Sequence, residues 1–282
     1  MDPWPIGVFA SIDAGLGVQL DVAHGLKVPT IHLHAPAPNT RTAAHADQFL
    51  QKLDRLGIRL TAVFGGFDGE SYADIPTTQR TVGLVPRESR AERTREMLEI
   101  ADFARRLGCD VVALHLGFIP HRSTDRKSFE EVVDVTRRVC DHCAANQQRL
   151  HLETGQETAD ELLDFLQRTQ RDNLFVNFDP ANMILYGTGN PIEALRKVGP
   201  HVRSVHCKDG TWAARPGVEW GRETPLGEGD VGFENFLRTL HEIGYQGPLT
   251  IEREIAAEPE RQKADIGAAI ELLNRLKSRI LT

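Results

Sequence analysis

The sequence is poor in cysteine, in aromatic residues and in positive charge. Its 282 residues include four cysteines, 6% aromatic residues, and 33 lysines and arginines against 40 acidic residues. Four cysteines in a chain of this size do not indicate a disulfide scaffold, so reduced thiols are expected. Cys140 and Cys143 form a CxxC pair, but it lies within a helical pattern and no second pair occurs, which favours ordinary helix residues. The formal net charge of −7 argues against a protein that binds nucleic acid by neutralising phosphates.

Long apolar segments are also missing. No window of about 18 apolar residues occurs, so no membrane span is expected. The first residues, Met1 to Pro5, contain neither the basic nor the apolar segment of a secretory signal. Together with the reduced thiols, these features predict a cytoplasmic protein.

What the sequence does contain is a repeated alternation of short apolar runs and helical patterns. Eight strand-like runs each precede a helix-like segment, and four of the helical patterns end at a glycine, namely Gly57, Gly108, Gly199 and Gly244. Strands separated by helical crossovers must run parallel. Eight such units predict an α/β fold, a (β/α)8 TIM barrel, as a single domain over residues 1–282. The alternative is a doubly wound open sheet, but Gly15-Leu16-Gly17 is a weak sign of its phosphate loop.

Several local predictions follow the same patterns. A short helix is expected over residues 18–26, and a long loop over residues 65–88. The next helix is expected to begin after Ser89, with Glu92 completing a capping box. Residues 180–190 are expected to be irregular, and residues 209–231 to form a long polar loop.

Four successive strand-like runs each deliver a metal-ligand side chain near the C-terminal end. Glu153, Asp179, His206 and Glu252 are separated by about one β/α unit each, with a long loop inside the last interval. Strand C-terminal ends lie on one face of a TIM barrel, where the active site is built, so these side chains should converge. Three carboxylates and one imidazole favour a hard or borderline divalent ion in a catalytic role. Mn²⁺, Mg²⁺, Co²⁺ and Zn²⁺ all meet this description.

Five motifs carry these residues: His151-Leu152-Glu153-Thr154-Gly155, Phe178-Asp179-Pro180-Ala181-Asn182, Val205-His206-Cys207-Lys208-Asp209, Pro225-Leu226-Gly227-Glu228-Gly229-Asp230-Val231 and Thr250-Ile251-Glu252. With them nearly the whole chain resembles the xylose-isomerase-like sugar phosphate isomerase/epimerase family, which includes ketose 3-epimerases, hydroxypyruvate isomerase and inosose dehydratase. The resemblance implies a TIM barrel with one Mn²⁺-like ion held by the four residues.

The chemistry that the resemblance implies is isomerisation or epimerisation of a keto-sugar through a metal-stabilised enediolate. Glu153 and Glu252 would act from opposite faces of the substrate as the acid/base pair. Two positions depart from the ketose 3-epimerases, which have a histidine at Asn182 and an arginine at Trp212. A metal-dependent lyase or dehydratase, acting on a keto-sugar, inosose or 3-keto-glycoside, therefore stands as the alternative.

Further residues are candidates for substrate binding. Lys208 follows His206 by two positions and so points to the same side of its strand. His115 lies near the end of the fourth strand, and His34 lies closer than His32 to the end of the second. Asn182 can hydrogen-bond a sugar hydroxyl. Glu157, with Gln156, follows Glu153 on one loop, and the aromatic residues Trp212, Trp220 and Phe67 stand on long loops.

Two further functions share this barrel type. An apurinic-site endonuclease needs three metals and more histidine ligands, and the acidic charge argues against it. A non-enzymatic sugar-binding barrel would have no need of both Glu153 and Glu252. The expected partners are thus a small-molecule sugar, with no nucleic acid or membrane, and further copies of the chain in a dimer or tetramer. No convincing phosphate cradle is seen, which favours an unphosphorylated substrate.

Overall fold

The computed structural model describes residues 3–12 and 17–281, and within them eight parallel strands close into a barrel, as predicted. Each barrel strand pairs with the next, and the last, β11, pairs back onto the first, β1. The strands in chain order are β1 (Ile6–Ser11), β2 (Val18–Gln19), β3 (Thr30–His34), β4 (Arg59–Gly65), β5 (Val111–Leu114), β6 (Arg149–Glu153), β7 (Leu174–Phe178), β8 (Val202–Cys207), β9 (Asp209–Thr211), β10 (Arg222–Thr224) and β11 (Leu249–Ile251). The short β2 pairs with β1 beside the barrel, and β9 and β10 form a separate antiparallel hairpin.

Helices surround the barrel and connect its strands. Besides the α-helices there are two 3-10 turns, at Pro38–Thr40 and Gly199–His201. The helices are α1 (Leu20–Gly25), α2 (Ala43–Leu56), α3 (Ile75–Thr81), α4 (Arg87–Arg106), α5 (Arg126–Ala145), α6 (Ala159–Thr169), α7 (Pro180–Tyr186), α8 (Pro191–Val198), α9 (Phe233–Glu242) and α10 (Pro259–Ile280). No helix in the described ranges combines the length and apolar character that a membrane crossing requires.

Local sequence explains how α6, which follows β6, begins and packs. Thr158 and Glu161 form a capping box, in which each side chain accepts a hydrogen bond from the other residue's backbone N–H. Leu162, Phe165 and Leu166 then recur at helical spacing and are buried against the barrel. The helix therefore packs on the barrel directly after the loop that follows Glu153.

Three of the four glycines that were predicted to end helices have the left-handed backbone conformation typical of that position. Gly57, Gly108 and Gly244 have φ values of 65°, 68° and 72°, the left-handed region that favours glycine at a helix end. Gly199 differs, because its φ of −45° continues the helical path into a 3-10 turn before β8.

Some local predictions were wrong at the level of single elements. The first helix begins at Leu20 because Val18 and Gln19 pair with β1. The expected loop over residues 65–88 contains α3, whose N-terminus is capped by the Asp74 carboxylate. The next helix, α4, begins at Arg87 after Pro86, two residues before the expected Ser89 cap.

Two segments at the C-terminal end of the barrel are more ordered than predicted. The stretch after Asp179 forms α7, and the long polar loop contains the β9–β10 hairpin. Gly15-Leu16 falls outside the described residues. Cys140 and Cys143 are buried free cysteines within α5, as the helical pattern predicted.

The barrel interior is filled by alternate strand residues. Phe9, Ala62, Phe64, Val111 and Ala113 form an apolar cluster separate from the larger core between strands and helices. Above this cluster the ring of His206 meets Phe64 at a centroid distance of 4.7 Å and Phe9 at 5.4 Å. The apolar interior thus supports the polar end of the barrel.

Candidate metal centre

The four predicted ligand residues converge at the C-terminal ends of four adjacent strands. Glu153 is the last residue of β6, Asp179 follows β7, His206 lies near the end of β8, and Glu252 follows β11. One ligand atom from each lies within 4.8 Å of the ligand atoms of the other three. Three of the residues are fully or almost fully buried, so the cluster holds several ionisable groups away from solvent.

The His206 imidazole is held by polar contacts on both of its nitrogens. Nδ1 lies 2.6 Å from Glu153 Oε1 and 3.4 Å from Glu252 Oε2, and Nε2 lies 3.1 Å from Nδ1 of the buried His32. Burial opposes protonation, but the carboxylates of Glu252 and Glu153 outweigh it and raise the pKa of His206. The position therefore favours a positive charge. That charge can be the proton of the imidazolium or a metal ion that replaces the proton.

Asp179 provides the test of whether a metal fits. Its Oδ1 accepts hydrogen bonds from the backbone N–H groups of Ala181, at 2.8 Å, and Asn182, at 3.0 Å. Its Oδ2 is buried and accepts no hydrogen bond from the described residues. Burial raises the pKa of this carboxyl, because a buried anion needs a counter-charge. An unsatisfied carboxylate oxygen beside two further carboxylates and an imidazole is a donor set that fits a divalent cation.

A cavity of about 240 Å³ opens beside these residues. Lys208 lies in its wall, where Nζ is 3.3 Å from Glu252 Oε2, 3.0 Å from Glu254 Oε2 and 3.3 Å from Asn182 Oδ1. Burial acts against ionisation of Glu252, but Lys208 and His206 lower the pKa of that carboxyl below its usual range. Glu252 is therefore ionised at neutral pH.

A second group of polar side chains surrounds His115 in the cavity wall. His115 Nε2 lies 2.9 Å from the hydroxyl of Tyr186 and in contact with Gln156. Burial lowers the pKa of His115 to about 3, so its ring is neutral at physiological pH. A neutral imidazole and a phenol can exchange hydrogen bonds with hydroxyl groups.

The structure brings most of the sequence-predicted residues into one cavity. Those that line it are Glu153, Glu252, His34, His115, Asn182, Lys208 and Trp220. Asp179 and His206 lie beneath it with no exposed surface. His32 does not line the cavity and instead contacts His206 from inside the barrel.

Three candidates lie elsewhere. Glu157 faces a second cavity of about 280 Å³, where its carboxylate accepts a hydrogen bond from the Ile119 N–H and burial raises its pKa to about 8. Trp212 is 37% exposed at the end of β9 and does not line the first cavity. Phe67 is buried under the Arg93 guanidinium, 5.5 Å from its ring centroid.

Sequence reasoning missed several residues of the cavity wall. Tyr186 comes from α7, Glu223 from β10 and Tyr72 from the loop before α3, all within segments expected to be irregular. Glu254 had a usable signal, because it follows Glu252 by two positions just as Lys208 follows His206.

Asp209 explains why two of the sequence motifs occur together. Its Oδ1 accepts hydrogen bonds from the N–H groups of Gly210 and Val231, and its Oδ2 from those of Gly227 and Gly229. A Cβ on Gly229 would collide with the Asp209 carboxylate. The residue after Lys208 therefore fixes the glycine-rich loop, and with it the β9–β10 hairpin, over the cavity.

Comparison with known proteins agrees with this architecture. The family described as xylose isomerase-like TIM barrel matches residues 17–276. The crystal structure of a xylose isomerase domain protein from Planctomyces limnophilus is 60% identical, with a TM-score of 0.97 over 99% of both chains. A D-psicose 3-epimerase from Clostridium cellulolyticum H10, solved with D-tagatose, has a TM-score of 0.72 over 96% of this chain and 99% of that one. At 16% identity this likeness shows a shared fold.

Sequence similarity extends to a dehydratase over a shorter range. An inosose dehydratase from Clostridium botulinum is 30% identical over 119 residues, which cover 37% of this chain and 38% of that protein. The matched part thus spans well under half of that relative. The family match covers nearly all of the chain and agrees with the closed parallel barrel. The chain belongs to the xylose isomerase-like TIM barrel family.

Proposed function

We propose that this protein is a divalent-metal-dependent isomerase or epimerase of a keto-sugar, with Glu153 and Glu252 as the acid/base pair. The observation that carries the proposal is that both carboxylates line one cavity and both contact His206, within a cluster suited to a cation. A pair of carboxylates in one cavity can remove a proton and return it at another point of the substrate.

The four strand-end residues would hold the ion, and the unsatisfied Asp179 Oδ2 supports this assignment. When bound, a divalent ion supplies Lewis-acid stabilisation of the negative charge that develops on a substrate oxygen. Mn²⁺ is the proposed ion, since carboxylate and imidazole ligands suit it.

Glu252 would act as the proton acceptor. Its Oε2 lies 3.3 Å from Lys208 Nζ, and the carboxyl is ionised because Lys208 and His206 outweigh the effect of burial and lower its pKa. Glu153 is 11% exposed in its side chain and has contact with His206 on one carboxylate oxygen, Oε1. Glu153 would return the proton from the other wall of the cavity. The two residues together would invert the configuration of a substrate carbon or move the carbonyl group to its neighbour.

The remaining wall would bind the substrate's hydroxyl groups. Asn182 and Lys208 contact each other beside Glu252, and His115 faces them with a neutral ring. His34 lines the cavity next to Gly66, where a Cβ would come within 2.6 Å of its Nε2. A sugar held by these groups and oriented by Trp220 is proposed as the partner. A cytoplasmic location and assembly into a dimer or tetramer stay predictions.

A metal-dependent lyase acting on a keto-sugar, inosose or 3-keto-glycoside is the second candidate. The 30% identity with an inosose dehydratase favours it. Asn182, where ketose 3-epimerases have histidine, also favours it, because an amide cannot serve as a proton donor. The first step, removal of a proton next to a carbonyl, would be common to both candidates.

Proton exchange tests the proposal. The Mn²⁺-loaded protein is incubated in D₂O with a panel of ketoses, inososes and 3-keto-glycosides, and products are followed by NMR and mass spectrometry. Deuterium next to the carbonyl, in a product otherwise unchanged in mass, supports the isomerase or epimerase. Loss of water or of an aglycone supports the lyase.

Glutamine variants identify the acid/base pair. Glu153→Gln and Glu252→Gln are each expected to slow exchange by about 100-fold or more, because an amide cannot carry the proton. Glu228→Gln is the matched control, since Glu228 is exposed on a loop at the same end of the barrel and does not line the cavity. Metal content is measured in all three samples. Full exchange by Glu153→Gln, or no exchange with any compound of the panel, would refute the proposal.

A further inference from the structure

The cavity wall carries far more negative than positive side chains. Five glutamates line it, and Lys208 is the one lysine or arginine among the described residues that do so. Lys208 is already surrounded by acceptors, with Glu252, Glu254 and Asn182 all within 3.3 Å of Nζ. The cavity therefore presents no uncommitted cation from a lysine or arginine of the described chain to a substrate anion.

The usual phosphate position of this fold is occupied by acids. TIM barrels that bind phosphate generally do so in the loops after the seventh and eighth strands. In this chain those strands are β8 and β11, and the segments after them place Glu223, Glu252 and Glu254 in the cavity wall. A phosphate group there would meet carboxylates at short range, which costs free energy in a partly buried site.

The glycine-rich loop over residues 225–231 is filled by the protein's own anion. Converging backbone N–H groups of such a loop make an anion-binding cradle. Here the N–H groups of Gly210, Gly227, Gly229 and Val231 all point to the buried Asp209 carboxylate. Asp209 is 1% exposed, so the cradle has no room for a substrate phosphate.

Glu223 lines the cavity and has one of its two carboxylate oxygens committed to hydrogen bonds. Its Oε1 accepts hydrogen bonds from Arg253 Nη1, at 2.7 Å, and from the Glu254 N–H, at 3.1 Å. No described hydrogen bond ends on Oε2, and Glu223 lines the cavity with a side chain that is 14% exposed. A fixed carboxylate with a free oxygen is an acceptor for a hydroxyl hydrogen.

Arg253 fixes this geometry. It follows Glu252 directly, is 7% exposed, and also donates from Nε to Asp265 Oδ2 on α10 at 2.9 Å. The guanidinium therefore ties the hairpin residue Glu223 to the end of β11 and to the last helix. Glu223 cannot swing away from the cavity without breaking a buried ion pair.

From these contacts we infer that Glu223 is a specificity-determining residue whose free Oε2 binds a hydroxyl group of an uncharged polyhydroxylated ketone, and that the same carboxylate, positioned by Arg253, excludes phosphorylated sugars. The inference rests on the proposed function for the identity of the substrate as a keto-sugar. It adds the charge class of that substrate and the residue that selects it.

Binding to matched pairs of ligands tests the inference without requiring turnover. Isothermal titration calorimetry on the Mn²⁺-loaded protein compares D-fructose with D-fructose 6-phosphate, D-tagatose with D-tagatose 6-phosphate, and D-ribulose with D-ribulose 5-phosphate. The uncharged member of at least one pair is expected to bind at least about tenfold more tightly, because the phosphate would meet carboxylates in a partly desolvated site.

Three variants separate the two roles of Glu223. Glu223→Gln is expected to weaken binding of the uncharged ketose by about tenfold. It should also reduce the ratio of affinities between the uncharged and the phosphorylated member of each pair. Glu223→Asp keeps the negative charge but moves the carboxylate oxygens away from the ligand, because the side chain is shorter. It should therefore weaken binding of the uncharged ketose and still disfavour the phosphorylated one. Glu228→Gln makes the same charge change at an exposed position on the following loop and should match the parent. Circular dichroism and metal content establish that each variant is folded and loaded.

Contrary results are equally clear. Tighter binding of the phosphorylated members, an effect of Glu223→Gln no larger than that of Glu228→Gln, or no binding by any uncharged ketose of the set would overturn the inference. Selective binding without deuterium exchange would leave the inference standing and remove the proposed reaction. Exchange with a preference for phosphorylated ketoses would do the opposite.

Discussion

Replacing His32 with phenylalanine is expected to weaken metal binding by about 10- to 100-fold. His32 is 1% exposed, and its Nδ1 lies 3.1 Å from His206 Nε2, on the side of the ring opposite to Glu153. A consistent assignment of protons has His206 donate from Nε2 to His32, which leaves Nδ1 free to bind the ion. His32, on β3, thereby orients the candidate ligand His206, on β8.

The magnitude follows from what the substitution leaves behind. Without His32, the His206 Nε2–H is a buried donor with no partner, which costs about 1–3 kcal/mol. That range corresponds to about 5- to 150-fold in affinity, which brackets the expected loss. The aromatic rings of Phe64 and Phe9 still restrict the plane of the imidazole, so the site is weakened rather than abolished. Phenylalanine keeps the ring and its stacking with Phe64, whose centroid lies 5.3 Å away.

The assay is a competition titration of the metal-free protein with Mn²⁺ against a chelator of known affinity. His151→Phe is the matched control, because His151 is another buried barrel imidazole but contacts Ser204 rather than a metal ligand. Affinities for His32→Phe within about threefold of the parent, in a folded protein, would refute the argument that His32 orients His206.

Two further predictions concern stability. Asp209→Asn leaves two or more backbone N–H groups of the glycine-rich loop without an acceptor, so it should destabilise the protein by about 3 kcal/mol and raise hydrogen exchange across residues 209–231. Asp230→Asn, which changes one hydrogen bond of the same loop, is its control, and equal effects would contradict the role of Asp209. Burial lowers the pKa of His151 to about 3 from an ordinary 6.5, so the folded protein keeps this ring neutral while the unfolded chain takes up a proton. The stability that His151 contributes is complete above pH 6.5 and falls as the pH is lowered toward 3. Between pH 7 and pH 5 the parent should therefore lose about 2 kcal/mol more than His151→Leu in urea titrations, and parallel losses would refute the assignment.

The sequence by itself determined the barrel and its cluster of candidate metal ligands. Glu153, Asp179, His206 and Glu252 could be found because each stands at the end of an apolar run, and parallel β/α units bring all such ends to one face. The same regularity placed Lys208, since two positions along a strand return to the same side. These inferences needed only the alternation of strand and helix patterns and the two-residue repeat of a strand, both of which can be read from the sequence.

The tertiary structure alone decided what surrounds that cluster. The contact of His32 with His206 joins residues 174 positions apart, and Tyr186 and Glu223 reach the cavity from segments that carry no regular pattern. Trp212 and Glu157 stood on loops at the correct end of the barrel, yet one faces outward and the other a second cavity. Strand periodicity fixes where a loop begins, but its path depends on contacts such as those of Asp209 and Arg253, which pair residues that no local pattern relates. The candidate ligand set therefore follows from the sequence, whereas the cavity above it depends on how the loops fold.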